Sequence, residues 1–137
     1  MSTVLALDAE TISVLARPRG EQFEQVRAAL EAARRLQRDV VTPAVTLAKL
    51  YRSPGRNQTI DSWLSRENWV LVRTTDRPFA RCVGGVLAAS QSDSTDLGDA
   101  HVVACVVESG SGMVLTGDPA DMTRLAAPYL NVHVVGI

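Results

Sequence analysis

The sequence is poor in lysine, aromatics, cysteine and long apolar runs, and each shortage excludes something. Lys49 is the only lysine, since 13 of the 14 basic residues are arginine. Against 15 acidic residues this leaves a formal net charge of −1. That excludes a generally basic nucleic-acid coat and a polyanionic tail, but leaves room for a local basic patch. Aromatics are only 4% of the chain, so a row of base-stacking platforms is not expected. The two cysteines, Cys82 and Cys105, stand apart with no CxxC spacing. They read as buried thiols in a reducing compartment. No apolar run approaches the ~20 residues of a membrane span. No basic segment precedes Asp8, as a secretory leader would require, so a cytoplasmic location is expected. The abundance of arginine, alanine and valine reads as codon bias, which makes the single lysine a residue to explain.

At 137 residues and 46% apolar composition, the chain is expected to form one globular domain spanning 1–137. Short apolar runs alternate with helical periods. Val4 to Leu7 is a continuous apolar run, as in a strand buried on both faces. Further strands are expected at Val40-Val41, Trp69–Val72, Met113–Thr116 and Val132–Val135. Helices are expected over Thr11–Arg17, Glu21–Arg38, Pro43–Tyr51, Thr59–Arg66, Arg77–Ala89, Thr95–Glu108 and Pro119–Leu125, with Ser53-Pro54-Gly55 as a break. Strands alternating with helices predict an α/β fold, a parallel sheet between two helical layers. Ligands of such sheets bind beyond the carboxyl ends of the strands.

Carboxylates stand at those ends. Asp8 ends the first strand, and Asp118 follows the strand Met113–Thr116 after Gly117. Asp96 and Asp99 are three residues apart at a helix start, so both can project from one face. Two like charges ~4 Å apart repel by on the order of 4 kcal/mol at an effective dielectric near 20. A convergent set therefore calls for a hard divalent cation or a basic residue. Mg²⁺ takes oxygen ligands and would activate water and stabilise charge at a phosphodiester. Plainer readings stand beside this one. Asp118-Pro119 makes a good helix cap, and Asp96 a favourable first-turn charge.

Four segments, in order and spacing, cover nearly the whole chain: Val4-Leu5-Ala6-Leu7-Asp8, Val41-Thr42-Pro43-Ala44 through Tyr51-Arg52, Asp96-Leu97-Gly98-Asp99-Ala100-His101-Val102-Val103-Ala104, and Leu115-Thr116-Gly117-Asp118-Pro119. Together they resemble the PIN-domain family, most closely the toxin ribonucleases of bacterial VapBC toxin–antitoxin pairs. The resemblance implies a three-layer sandwich, with a central parallel sheet of about five strands and helices on both faces. It implies Mg²⁺- or Mn²⁺-dependent cleavage of RNA, a cognate VapB-like antitoxin, and a homodimer. Asp8, Asp99 and Asp118 match its metal-binding acids, and Asp96 an accessory acid. It further implies an antitoxin that lies in a groove and inserts an arginine at the acids.

One position departs from that pattern. The family's glutamate, on the helix after the second strand, is Lys49 here, and no other acid lies between Asp39 and Asp61. An ammonium among aspartates takes roughly the place and sign of a metal ion. Lys49 is therefore expected to pair with Asp8 and Asp99 and weaken metal binding, or else to carry its charge out to solvent. An inactive protein of the same fold, retaining antitoxin binding or dimerisation, is the alternative function.

Arg52 and Arg56 flank the Ser53-Pro54-Gly55 loop and could meet an RNA backbone, with Arg73, Arg77 and Arg81 as a second basic stretch. His101 reads as a packed helix residue. A phospho-receiver domain would need paired acids at the first strand end and a late lysine, and a DxD phosphatase an aspartate at position 10. The chain has Glu10 there, and Lys49 comes early.

Overall fold

The computed structural model describes residues 3–137. Five strands form one parallel sheet: β1 (Thr3–Leu7), β2 (Asp39–Pro43), β3 (Leu71–Arg73), β4 (Ser111–Thr116) and β5 (Val132–Gly136), in the order β3-β2-β1-β4-β5. Seven helices cover it: α1 (Ala9–Ala16), α2 (Gly20–Arg35), α3 (Ala44–Leu50), α4 (Pro54–Arg66), α5 (Arg77–Ala89), α6 (Leu97–Ser109) and α7 (Pro119–Ala126). A 3₁₀ turn, Ser94–Asp96, leads into α6. This is the PIN-like three-layer sandwich expected above.

The apolar run of β1 explains the layering. Val4 and Ala6 point into a core shared with Phe79 and Val83 of α5, Val103 and Val106 of α6, and Met122 and Leu125 of α7. Leu5 and Leu7 point the other way, into Ile12 of α1, Val26 and Leu30 of α2, Leu47 of α3, and Ile60 and Trp63 of α4. Each such side chain contributes about 1.5–3 kcal/mol by leaving water, so every strand residue in the centre is held from one side or the other.

Several boundaries differ from expectation. Trp69 lies before the third strand, because its indole N–H donates to Glu67 (2.6 Å) and the Val70 N–H to the Glu67 carbonyl (2.9 Å), which prolongs the turn after α4. Ser53-Pro54 breaks α3 and also starts α4. The Ser53 hydroxyl accepts from the Arg56 N–H (3.3 Å), and Pro54 takes the first helical position, where no donor is needed. Pro43 closes β2 instead of opening a helix. α2 stops three residues early, where Gln37 turns to a positive φ of 56°. Cys105 is buried, which pushes its thiol up to about 12, while Cys82 is only half-buried. No described helix is long and apolar enough to cross a membrane.

The chain order reverses between β1 and β4, so a crevice opens at their carboxyl ends. A buried carboxylate spans it. Asp8 Oδ1 accepts from the Thr11 N–H (2.9 Å), and Oδ2 from the Thr116 hydroxyl (2.6 Å) and the Gly117 N–H (3.2 Å). The Thr11 hydroxyl lies 2.8 Å from Oδ1 and 2.9 Å from the Leu115 carbonyl, and shares its one proton between them. The Thr116 hydroxyl in turn accepts from the Asp118 N–H at 2.8 Å. Replacing Thr116, fully buried, by valine keeps the shape and removes both bonds. Thr116→Val should cost about 2–3 kcal/mol in urea denaturation, the cost of a poorly satisfied buried charge and an orphaned N–H. A loss under about 0.5 kcal/mol would mean that this pin is dispensable.

Candidate metal centre

Three aspartates meet at the mouth of the β1–β4 crevice. One carboxylate oxygen each from Asp99, Asp118 and Asp121 lies within 4.8 Å of the other two. Asp99 sits in the first turn of α6, over the sheet. Asp118 caps α7, its carboxylate accepting from the Asp121 N–H at 3.4 Å, and Asp121 stands one turn on. Burial holds the Asp99 carboxyl above its ordinary range. The Lys49 ammonium opposes that rise, and Asp8, Asp118 and Asp121 add to it.

The acids named from sequence fall into three places. Asp99 and Asp118 belong to the cluster. Asp8 lies behind it, its oxygens already occupied by Thr11, Thr116 and Gly117. Asp96 is turned away, with its carboxylate 3.0 Å from Arg124, which also reaches Asp121 (3.6 Å) and donates to Ser92 (2.7 Å). Asp121 was not singled out from sequence. Its signal was the same three-residue spacing after Asp118 that Asp96 and Asp99 show, hidden by its ordinary look as a first-turn helix acid.

Lys49 is at the site. Its ammonium lies 3.9 Å from Asp99, with half of its side chain exposed. It makes no pair with Asp8, so the expected double pairing reduces to Asp99 alone. The far end of the side chain rests on Gly98. A Cβ there would strike Nζ and Cε, and would stand 3.5 Å from Cδ. Glu10 lies close over Gly117, within 2.7 Å (its Cγ) of where a Cβ would be, and adds a fourth carboxylate to the rim.

The basic residues named from sequence are partly engaged. The Arg52 guanidinium donates to the Ala48 and Tyr51 carbonyls, both at 2.8 Å, and so caps α3. Arg56 lies in the first turn of α4. Arg73 binds Glu108 through two 2.8 Å bonds and also reaches Asp76. His101 is packed, with Nδ1 at 2.7 Å from the Leu97 carbonyl and its ring edge-on to Phe79.

No family model and no curated protein matches the chain. Two solved structures are similar in fold. One is VapBC2 from Rickettsia felis bound to a DNA fragment from its promoter, with 15% identity, a TM-score of 0.68, and coverage of 98% of this chain and 99% of that one. The other is FitAB bound to the IR36 DNA fragment, with 19% identity, a TM-score of 0.63, and coverage of 98% and 94%.

These findings correct the family assignment. The sequence resemblance placed the chain among PIN-domain toxin ribonucleases, and that membership does not stand. The neighbours are VapBC2 and FitAB bound to DNA fragments, and at such identities they carry the fold and nothing more. The physical reason lies in the motifs. Asp8 and Asp118 are both helix caps, and the apolar strand before Asp8 is what any such sandwich requires. Fold-making residues alone account for much of the match.

Asp99 gives a test of the electrostatics. The folded state holds its proton more tightly than the unfolded chain, whose ordinary value is 3.8. Ionised Asp99 thus opposes folding. The penalty is absent below that value and complete once the pH has passed the raised folded value. In metal-free buffer at pH 7, Asp99→Asn should raise Tm by about 2–4 °C, and the gain should vanish near pH 3. A Tm lowered at pH 7 would contradict the assignment.

Proposed function

We propose that the chain is a divalent-metal-dependent endoribonuclease scaffold from a toxin–antitoxin system, held at low activity by Lys49. The observation that carries this reading is the meeting of Asp99, Asp118 and Asp121, with an ammonium against Asp99. The donor set fits a hard cation. Octahedral Mg²⁺ at about 2.1 Å from each ligand places neighbouring oxygens about 3 Å apart and opposite ones about 4.2 Å apart. Three oxygens within 4.8 Å of one another are close to that. Mg²⁺ or Mn²⁺ bound there would supply an activated water and charge stabilisation at the scissile phosphate.

The chain's own residues set the rest. Asp8 is too fully hydrogen-bonded to turn outward. It fixes the Thr116-Gly117-Asp118 turn and adds negative potential from behind. Asp96 is occupied by Arg124 and supports α7 against the 3₁₀ turn. Arg56, at the mouth of α4, is left to meet an RNA phosphate, because Arg52 is held at the end of α3. Lys49 takes away one carboxylate and adds one positive charge. An exposed pair of this kind is worth ~1 kcal/mol or less, and the missing ligand adds to the loss. Together these weaken metal binding by on the order of ten- to a hundredfold.

The VapBC2 and FitAB complexes among the neighbours support a partner protein of the VapB-like kind, and we propose a homodimer beside it. Leu71 and Val72 on the β3 edge and Leu97 on α6 are exposed apolar side chains of the sort such contacts cover. The Lys49 contact also favours a second reading, an inactive scaffold that keeps only its partner contacts.

Cleavage of a fluorescent RNA in Mn²⁺ separates them. The chain should cleave slowly or not at all. Lys49→Glu should cleave at least about tenfold faster, and should lose that gain with EDTA or with Asp99→Asn. No gain in Lys49→Glu, or cleavage that survives EDTA, would overturn the metal-dependent nuclease reading.

A further inference from the structure

We propose that Lys49 is an acylation site, and that transfer of an acyl group from a thioester to its amine exchanges the cluster's resident ammonium for an external divalent cation. This rests on the metal reading above and goes on to its regulation. Lys49 carries the one side-chain amine of the sequence. Half of that side chain is open to solvent, so a small acyl donor can reach it, although its ammonium lies 3.9 Å from Asp99. The two thiols are poorer competitors. Cys105 is buried and Cys82 half-buried, and burial pushes both thiols above their ordinary range.

The seat of the ammonium is specific. Gly98 immediately precedes Asp99 and lacks the side chain that would fill the space Nζ and Cε occupy. The ammonium therefore lies beside Asp99 because position 98 is empty, not because a second acid draws it in. Among the described residues it has a single carboxylate within ion-pair distance. Acylation makes the group larger and neutral. The unprotonated amine forms a bond to the thioester carbonyl carbon, the carbon–sulfur bond breaks, and the thiolate leaves with that electron pair. The amine proton passes to solvent or to the thiolate. The product amide has no charge to offer Asp99, so three carboxylates face the crevice uncompensated on that side.

The probe is acetyl-coenzyme A, incubated with the whole chain at mildly alkaline pH and followed by peptide mass mapping. Mn²⁺ affinity is then read from the electron paramagnetic resonance of free Mn²⁺, which needs no RNA. The acetyl group is expected on Lys49, with Mn²⁺ bound about two- to fivefold tighter by the acetylated chain. Lys49→Arg should neither acquire the group at position 49 nor gain affinity. Gly98→Ala, whose Cβ displaces the ammonium, should tighten Mn²⁺ with the amine unmodified.

An unmodified Lys49, an acetylated chain with unchanged Mn²⁺ affinity, or a Gly98→Ala chain with no gain would each overturn the proposal. Lys49→Glu serves as reference. If it binds Mn²⁺ tightly while the acetylated chain does not, the switch fails and the metal reading stands. If Lys49→Glu also binds weakly, the metal reading fails and the switch goes with it.

Discussion

The structure depends on one buried carboxylate. Asp8 leaves the central strand into a crevice where water cannot solvate it, so it must be satisfied from the protein. Thr11 on one side and Thr116 with Gly117 on the other do this. In meeting that requirement they fix the exits of β1 and β4 relative to each other. The turn fixed in this way delivers Asp118 and, one helical turn later, Asp121. Asp99 arrives from α6, which packs directly on the same strand. The position of the cluster is a consequence of making one buried charge tolerable.

The cluster itself is a source of instability. Burial and neighbouring carboxylates raise the cost of ionising Asp99, and Lys49 is the one group that relieves it. Like charges gathered without a counter-charge repel one another and weaken the fold that holds them. Lys49 supplies an internal counter-charge, through a contact that Gly98 makes possible. Arg124 plays a similar part at the other rim, joining Asp121 to Asp96. Resident arginine and lysine charges therefore flank the three aspartates on both sides.

Much of the fold was legible in the sequence. The apolar runs of β1 and β4 and the amphipathic periods of α2 and α5 are strong local signals, and the alternation of elements gave the layers. The weak points were ends and edges. β3 has only three residues, two of them exposed, so Trp69 looked like its start, when a side-chain bond to Glu67 assigns it to the turn. At the site, Asp99 and Asp118 were visible as acids at strand and helix ends. Asp121 was not, because a first-turn helix acid needs no special explanation. The capture of Asp96 by Arg124 could not be read at all, since those residues are 28 apart and meet only through tertiary packing. The family assignment went too far because helix caps and strand exits recur in any sheet of this kind.

The central claim is that Asp99, Asp118 and Asp121 form a cation site from which the Lys49 ammonium keeps metal away. It is tested most directly by anomalous diffraction from crystals of Lys49→Glu and of the unaltered chain soaked in the same Mn²⁺ solution. The account predicts a strong peak bounded by those three carboxylates in Lys49→Glu, and a weak peak or none in the unaltered chain. A peak of equal height in both, or one seated instead on Asp96, would contradict it.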